Sequence, residues 1–149
     1  DAGCDIVLCE TFANGEEALV AAEEAMATGV PVWLSLTAGP FGELLTPDEL
    51  ASIGKDAASI GIARLMVNCT AATRIAAYVE AAAALGLPTG VYANAGHEGE
   101  AIGWGATSPA AVDAYAALAE RWKKAGASVV GGCCGTGPLH IQALADRFA

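Results

Sequence analysis

Three cysteines, Cys69, Cys133 and Cys134, are the residues of this sequence whose type and spacing are best suited to chemistry. Two of them are adjacent, and glycines on both sides of the pair give its backbone freedom to turn both side chains towards one point. Three thiolates suit a zinc site that has three protein ligands and one open position. Core packing of small apolar cysteines is one alternative, and redox chemistry through a strained vicinal disulfide is another.

Two further cysteines fit such a site poorly. Cys4 lies at the start of the first predicted strand, about 20 Å from its other end at roughly 3.3 Å per residue. Cys9 alternates with Glu10, so Cys9 faces the helices if Glu10 faces the interior. Both are predicted to be core or structural residues, and the fourth ligand position stays open.

Strands and helices that alternate along the chain must position these side chains. Short apolar runs predict five strands, at residues 5–10, 32–37, 64–69, 89–93 and 128–132. Helical spacing, with capping residues at the starts and Gly or Pro at several ends, predicts five helices, at residues 15–28, 46–60, 72–85, 108–125 and 138–148. Residues 94–107 are predicted to include a long loop.

The alternation predicts an α/β fold with a parallel sheet covered by helices. One βα unit per roughly 30 residues makes this chain about five units of a (β/α)8 barrel, which takes about 250 residues. The alternative is an open doubly wound sheet, whose usual G-x-G-x-x-G turn is missing after the first strand. In both folds Cys69, Cys133 and Cys134 lie at the carboxyl edge of the sheet, where active sites form. No linker divides residues 1–149, which are predicted to be a single domain or part of one.

Composition excludes several classes of function. Lys and Arg number 7 against 17 Asp and Glu, a net charge of −10, which argues against binding to nucleic acid or to an anionic membrane surface. Hydrophobic residues make up 54%, which predicts a globular core, and no apolar run reaches the roughly 18 residues of a membrane span. The odd number of cysteines, 5, and an acidic start in place of a secretory signal predict a cytoplasmic protein without a disulfide framework.

Four segments carry a resemblance to a known family. They are Cys9-Glu10-Thr11-Phe12, Val67-Asn68-Cys69-Thr70, VYANAG at residues 91–96, and GGCCGT at residues 131–136 followed by Pro138 and His140-Ile141. In this order they resemble the successive motifs of the homocysteine S-methyltransferase family, over nearly the whole chain. The resemblance implies a zinc-dependent (β/α)8 barrel, of which this chain resembles strands 4 to 8.

The resemblance also implies a reaction and a role for each site residue. Cys69, Cys133 and Cys134 match the zinc ligands, Glu10 matches an acid that holds the substrate's amino group, and Asn68 matches a substrate-pocket position, with no catalytic residue beyond the metal site. The implied reaction transfers a methyl group from a sulfonium donor, such as S-methylmethionine, to the thiol of homocysteine and gives methionine. These motifs specify neither the donor nor the oligomeric state.

Several other side chains have weaker signals. Asn94 matches a pocket-shaping position of the family, and His97 is predicted to be a polar loop residue and His140 a structural histidine. Aromatic residues in or beside predicted carboxyl-end loops are candidates to face a sulfonium or to pack; they are Phe12, Phe41 and Trp104. The remaining large aromatics are predicted to be core residues; they are Trp33, Tyr115 and Trp122.

Two alternatives to the methyltransferase function stay open: a non-catalytic zinc-binding fragment and a vicinal-cysteine redox protein. The first three strands of the family have no counterpart here, and the sequence lacks a starting Met, so we expect a piece of a longer protein. A five-stranded sheet leaves two open edges, which template aggregation unless paired. The chain alone is therefore predicted to be inactive or poorly soluble.

Overall fold

The computed structural model describes residues 3–96, 100, 102, 104 and 108–148. In this part of the chain strands and helices alternate, as the sequence predicts. The strands are β1 (Val7–Phe12), β2 (Val32–Thr37), β3 (Arg64–Ala71), β4 (Thr89–Asn94) and β5 (Ala127–Gly132). The helices are α1 (Gly15–Met26), α2 (Pro47–Ile60), α3 (Ala76–Ala83), α4 (Pro109–Lys124) and α5 (Pro138–Phe148).

The five strands form one parallel sheet in the order β1-β2-β3-β4-β5. Each crossover steps to the next strand in the same direction, and right-handed crossovers of this kind put the helices on one face. A doubly wound sheet reverses its strand order and places helices on both faces. The sheet is open, but its strand order is that of consecutive units of a barrel. The doubly wound alternative is therefore wrong.

The core lies between the outer face of the sheet and the helices. Leu34 and Val67 point outwards from the sheet and are fully buried, together with Tyr115 and Trp122 of α4. The prediction that these two aromatics are core residues is confirmed. Trp33 was predicted to join them but lies on the opposite, inner face, because it alternates with Leu34. There the guanidinium carbon of Arg64 lies 4.7 Å from the centre of its ring.

Several element bounds differ from the prediction. β1 begins later than expected and continues to Phe12, which pairs with Leu36, and β3 continues to Ala71, which pairs with Asn94. Residues 72–75, predicted to be the first turn of α3, form turns instead, and α3 begins at Ala76 with no side-chain cap. The chain leaves β3 here with the Ala72 amide bound to the Asn94 carbonyl at 3.0 Å, so that amide faces the sheet.

Local caps account for three helix starts. Asn14 accepts a hydrogen bond from the Glu17 amide, and Ser108 accepts one from the Ala111 amide. Thr46 and Glu49 form a capping box at the start of α2. In the part of the chain that is described, no helix is both long and apolar enough to cross a membrane.

Candidate metal centre

The carboxyl ends of β3 and β5 bring the three cysteines together. The Sγ of Cys134 lies 3.7 Å from that of Cys69 and 4.0 Å from that of Cys133. All three sulfur atoms lie within 4.8 Å of one another. This placement agrees with the prediction that the three cysteines lie at one edge of the sheet. Cys69 and Cys133 are half-buried and Cys134 is exposed, so solvent reaches the cluster at Cys134.

The distances and the chemistry of the donors both fit a metal ion. A tetrahedral zinc ion with Zn–S bonds of about 2.3 Å has sulfur neighbours roughly 3.8 Å apart, close to two of the distances seen here. Three sulfur donors also match the preference of thiolate sites for zinc over harder cations such as magnesium. Among the described residues no other Cys, His, Asp or Glu joins the group.

In the structure Cys69 and Cys133 are joined as a disulfide, with their Cα atoms 5.8 Å apart. The redox alternative from the sequence placed the disulfide between the adjacent Cys133 and Cys134 instead. The pair that meets is the one brought together by strands β3 and β5, whereas the sulfurs of the adjacent Cys133 and Cys134 are 4.0 Å apart. Metal binding by all three sulfurs requires this disulfide to be reduced, since the thiolate is the ligand.

The two remaining cysteines lie outside the cluster, as predicted, but the prediction that Cys4 is a core or structural residue is wrong, because Cys4 is exposed. Cys9 faces α1, where its Sγ lies 3.6 Å from the Ala21 carbonyl oxygen. Burial raises the pKa of the Cys9 thiol, which keeps it protonated and unreactive. Cys4 is an exposed free cysteine near the beginning of the chain.

The backbone at Cys69 leaves regular strand geometry. Its φ is +49°, in the left-handed region that residues with a side chain rarely adopt, and the β3–β4 register shifts between Asn68 and Ala71. The Asn94 side chain holds this conformation by donating from Nδ2 to the Cys69 carbonyl at 2.9 Å. The other amide atom, Oδ1, is buried and has no hydrogen-bond partner among the described residues. The sequence offered only the family motif as a signal for this contact.

The turn that carries the other two cysteines is held from three sides. The Cys133 amide donates to the Ala93 carbonyl at 2.8 Å, and the Ala95 amide donates to the Cys134 carbonyl at 2.9 Å. Thr136 Oγ1 donates to the Cys133 carbonyl at 2.7 Å. The two thiol-bearing residues are thereby fixed to the end of β4.

His140 is a structural residue, as predicted. It is buried, and its Nδ1 accepts a hydrogen bond from the Gly137 amide at 3.1 Å. The proton therefore sits on Nε2, which donates to the Ile102 carbonyl at 3.2 Å. Its ring packs edge-on against Tyr115, with centroids 5.4 Å apart. The histidine thus ties the start of α5 to Ile102; His97 lies outside the described residues.

Glu10 lies on the inner face of the sheet. It is exposed and lines a cavity of about 410 Å³ together with Tyr92, Gly131 and Gly132, which lead to the cysteine turn. An exposed carboxylate on this wall is suited to bind a cationic group.

Asn68, predicted to be a substrate-pocket residue, is fully buried between strands. Its Oδ1 accepts a hydrogen bond from Ser35 Oγ at 2.8 Å, and its Nδ2 donates to Thr11 Oγ1 at 2.7 Å. Thr11 follows Glu10 and has a φ of +67°. Asn68 is therefore placed to hold the Thr11 side chain beside Glu10.

The three loop aromatics have different environments. Trp104 and Phe41 are 48% and 56% exposed, whereas Phe12 packs against the core. A Cβ built on Gly135 would lie 3.2 Å from the Trp104 ring, so the indole rests on the backbone of the cysteine turn. Of the three, Trp104 is the one that packs on the turn carrying the cysteine pair.

Comparisons with known proteins indicate the family of this chain. The model of the family described as Homocysteine S-methyltransferase matches residues 1–148. A relative named Homocysteine S-methyltransferase 1 from Zea mays is 32% identical over 96% of this chain, and Homocysteine S-methyltransferase of Escherichia coli (strain K12) is 32% identical over 99%. The chain spans 46% and 49% of the length of these two relatives.

One of the similar solved structures is also that of a homocysteine methyltransferase, and another shares the fold alone. The metallated form of the homocysteine methyltransferase MmuM from Escherichia coli superposes with a TM-score of 0.74 and 29% identity, covering 99% of this chain and 46% of that one. A putative phosphonomutase from Burkholderia cenocepacia, only 16% identical, superposes with a TM-score of 0.65 and shares the fold alone. The neighbours are barrel-like, whereas the sheet described above is open.

Proposed function

Because the chain belongs to the homocysteine S-methyltransferase family, we propose that it supplies the zinc site and part of the substrate pocket of an enzyme that methylates homocysteine to methionine. The observation that carries the proposal is the cluster of three thiols at the carboxyl edge of the sheet. Cys69, Cys133 and Cys134 are the proposed ligands, and the fourth position is left for the substrate's sulfur. The proposal includes Zn²⁺ as the metal, which suits an all-sulfur set.

The ligand set favours alkylation of a thiol. A thiol with a pKa near 8.5 is only about 3% thiolate at pH 7, and a bound zinc ion would remove that proton outright. Three protein thiolates give the site a charge of 2 − 3 = −1, which rises in magnitude to −2 with a substrate thiolate. Such an electron-rich centre offsets the loss of nucleophilicity that a strongly withdrawing site would impose. Three histidines would instead leave a cationic site, which suits the formation of hydroxide.

Glu10 is the proposed partner of the substrate's ammonium group. Its carboxylate is exposed on the inner face, in a cavity that also borders the end of β5. An ionised carboxylate accepts hydrogen bonds from an ammonium group and offsets its charge. Asn68 is proposed to act on the pocket through Thr11, by holding the side chain that follows Glu10.

The donor is proposed to be a sulfonium such as S-methylmethionine. Trp104 and Phe41 are exposed aromatics at the carboxyl end of the sheet, and Trp104 packs on the cysteine turn. An aromatic face attracts a cation placed over it. Alignment of donor methyl and acceptor sulfur at about 3 to 3.5 Å would provide much of the remaining rate acceleration.

Residues 1–149 are proposed to be one part of a barrel domain whose other strands close the sheet. Ile6 and Leu8, on the inner face at the start of the edge strand β1, are 38% and 39% exposed, and further strands that close the sheet would cover them. At the β5 edge a second apolar groove is lined by Val130, Ile141, Leu144 and Phe148, among others. A barrel of eight strands needs 8 − 5 = 3 further βα units to cover both edges.

Methionine formation from L-homocysteine and S-methylmethionine tests the proposal, with betaine as the comparison donor. The reduced, zinc-loaded chain is assayed alone and after fusion to the part of the Escherichia coli relative that it does not cover. We expect no product from the chain alone and methionine from the fusion. Activity of the chain alone at the rate of full-length relatives would disprove the fragment hypothesis.

Two variants of the fusion separate this function from its alternatives. Cys69→Ser should abolish methionine formation, whereas Cys4→Ser, at an exposed free cysteine, should keep it. A non-catalytic zinc module would bind zinc without forming product. A redox protein would cycle its thiols without metal.

A further inference from the structure

Tyr92 differs from the other two tyrosines in how its hydroxyl is used. Tyr115 donates to the Ala93 carbonyl at 2.8 Å, and Tyr78 donates to the Leu45 carbonyl at 2.9 Å. The hydroxyl oxygen of Tyr92 is shielded from solvent, and no hydrogen bond joins it to another residue in the described part of the chain. A buried hydroxyl without a partner destabilises a fold by about 1 to 3 kcal/mol, so its retention calls for an explanation.

The surroundings of Tyr92 point to Glu10. Tyr92 lies on the inner face of β4, paired with Asn68 on one side and Gly131 on the other. A Cβ on Gly131 would lie 3.3 Å from the Cβ of Tyr92, so the glycine leaves room for the ring over the sheet. The ring and the Glu10 carboxylate line the same cavity.

The acid-base state of Tyr92 suits a hydrogen-bond donor. Burial raises the pKa of the Tyr92 phenol, interaction with Ser35 opposes that shift, and the nearby charge of Glu10 raises the pKa further. The phenol is therefore neutral at neutral pH. Ser35 already donates its own proton to Asn68 Oδ1 at 2.8 Å. Of the groups facing the phenol, the Glu10 carboxylate is the one that, when ionised, accepts hydrogen bonds and cannot donate them.

We propose that Tyr92 is a positioning residue, whose hydroxyl donates a hydrogen bond to Glu10 and fixes that carboxylate for the ammonium group of an amino-acid thiol. One carboxylate oxygen accepts from Tyr92, and the other stays free for the substrate. Because hydrogen bonds to a charged acceptor are the strong ones, a single phenol is sufficient to select one orientation of an exposed glutamate. The role assigned to Tyr92 rests on the function proposed above.

Binding of L-homocysteine to the zinc-loaded protein, followed by calorimetry, tests this role. Tyr92→Phe should raise the dissociation constant about tenfold, as expected for loss of a hydrogen bond to a charged group. Zinc content should change little, and so should the kcat of the fusion described above, since Tyr92 touches neither the metal nor the reacting sulfur. Tyr78→Phe is the matched control, because its hydroxyl binds a distant carbonyl, and it should leave the dissociation constant unchanged.

Two comparisons show whether Tyr92 acts through Glu10. Tyr92→Phe should not weaken binding further in a Glu10→Gln background, and it should not affect 4-mercaptobutanoate, which is homocysteine without its amino group. An equal loss for that analogue, an additive loss in the Glu10→Gln background, or unchanged affinity for L-homocysteine would overturn the role.

A substrate-free measurement keeps the role separate from the proposed function. The ¹³Cζ signal of Tyr92 should move in the Glu10→Gln variant, whereas that of Tyr78 should not. If the protein binds no homocysteine but the signal moves, the proposed function is wrong and the Tyr92–Glu10 pair stands. If homocysteine binds and the signal does not move, the pair is wrong and the function stands.

Discussion

The middle of the sheet and the carboxyl ends of β1 and β3 follow different rules. In the middle, residues 33–37 of β2 pair with residues 64–68 of β3 without interruption, and the outward side chains are buried leucine and valine. At the ends, the register shifts between Cys9 and Phe12 and again between Asn68 and Ala71. A third register shift, between Thr89 and Gly90, lies instead at the amino end of β4.

Strained backbone is likewise located at the carboxyl ends of β1 and β3. Thr11 and Cys69 are two of the three non-glycine residues with positive φ in the described chain, and each lies at one of these irregular ends. Each is also held by an asparagine from another strand: Asn68 donates to the Thr11 hydroxyl, and Asn94 donates to the Cys69 carbonyl. Regular pairing thus stabilises the fold, whereas strained ends with polar supports aim Glu10 and the cysteines.

The largest expected effect is at the end of β3. Cys69→Ser should lower zinc affinity by more than about 100-fold, because even the outer partners of metal ligands contribute 10- to 100-fold. The unfolding free energy without metal should change little, since Cys69 is only half-buried. Zinc stoichiometry after dialysis measures the first quantity, and urea titration of the reduced apoprotein measures the second. Cys4→Ser is the control, and equal zinc content in both variants would contradict the assignment.

A substitution in the middle of the sheet should show the opposite pattern. Leu34 is fully buried beneath the helices, so Leu34→Ala should lower the unfolding free energy by about 2 to 5 kcal/mol. Zinc content per folded molecule should stay the same, because Leu34 lies away from the strand end. A loss of zinc in the molecules that remain folded would show that the two regions are not separable.

Asn94→Ala tests the support beneath Cys69. The variant leaves the Cys69 carbonyl without its 2.9 Å hydrogen bond and frees a strained backbone. We expect zinc affinity to fall about 10- to 100-fold and the unfolding free energy to fall by about 1 to 3 kcal/mol. Competition with a chromophoric chelator measures the affinity. Unchanged affinity would mean that the left-handed conformation is maintained by the β3–β4 pairing alone.

The smallest effect is expected far from the site, at the start of α2. Thr46→Ala removes the cap and should lower stability by about 1 kcal/mol at pH 7 without changing zinc content. Hydrogen bonds from Thr46 lower the pKa of Glu49, so their contribution is present above the pKa of the unfolded chain and is lost as the pH falls. Thermal melts between roughly pH 5 and pH 3 should therefore show a shallower dependence in the variant. An equally steep dependence would exclude the Thr46 hydroxyl as its source, since the variant keeps the hydrogen bond from the backbone amide of residue 46 to Glu49.

Much of the fold follows from local signals in the sequence. Apolar runs and the caps at Asn14, Thr46 and Ser108 mark the alternation of strands and helices, and parallel pairing then places Cys69 with Cys133 and Cys134 at one edge. What local signals do not contain is the strand order. It follows from how the crossovers pack, and it distinguishes the barrel-like arrangement from the doubly wound one.

The details of the site depend on contacts between distant residues. The positive φ of Thr11 and of Cys69 goes with side-chain hydrogen bonds to residues 57 and 25 positions away, which no local pattern encodes. The inner-face position of Trp33 was missed because its hydrophobicity alone suggested the core, while Leu34 occupies that side. The shorter α3 reflects the Ala72 amide bonding to the end of β4.

X-ray absorption at the zinc edge, on reduced zinc-loaded protein with and without L-homocysteine, tests the central claim most directly. Cys69 lies at the strained end of β3, and Cys133 and Cys134 lie in the turn after β5. If they hold zinc and leave one position open, the zinc ion should have three sulfur neighbours without substrate and four when homocysteine is added. Four sulfur neighbours in both samples, or no bound zinc, would contradict an open thiolate site at the carboxyl ends of β3 and β5.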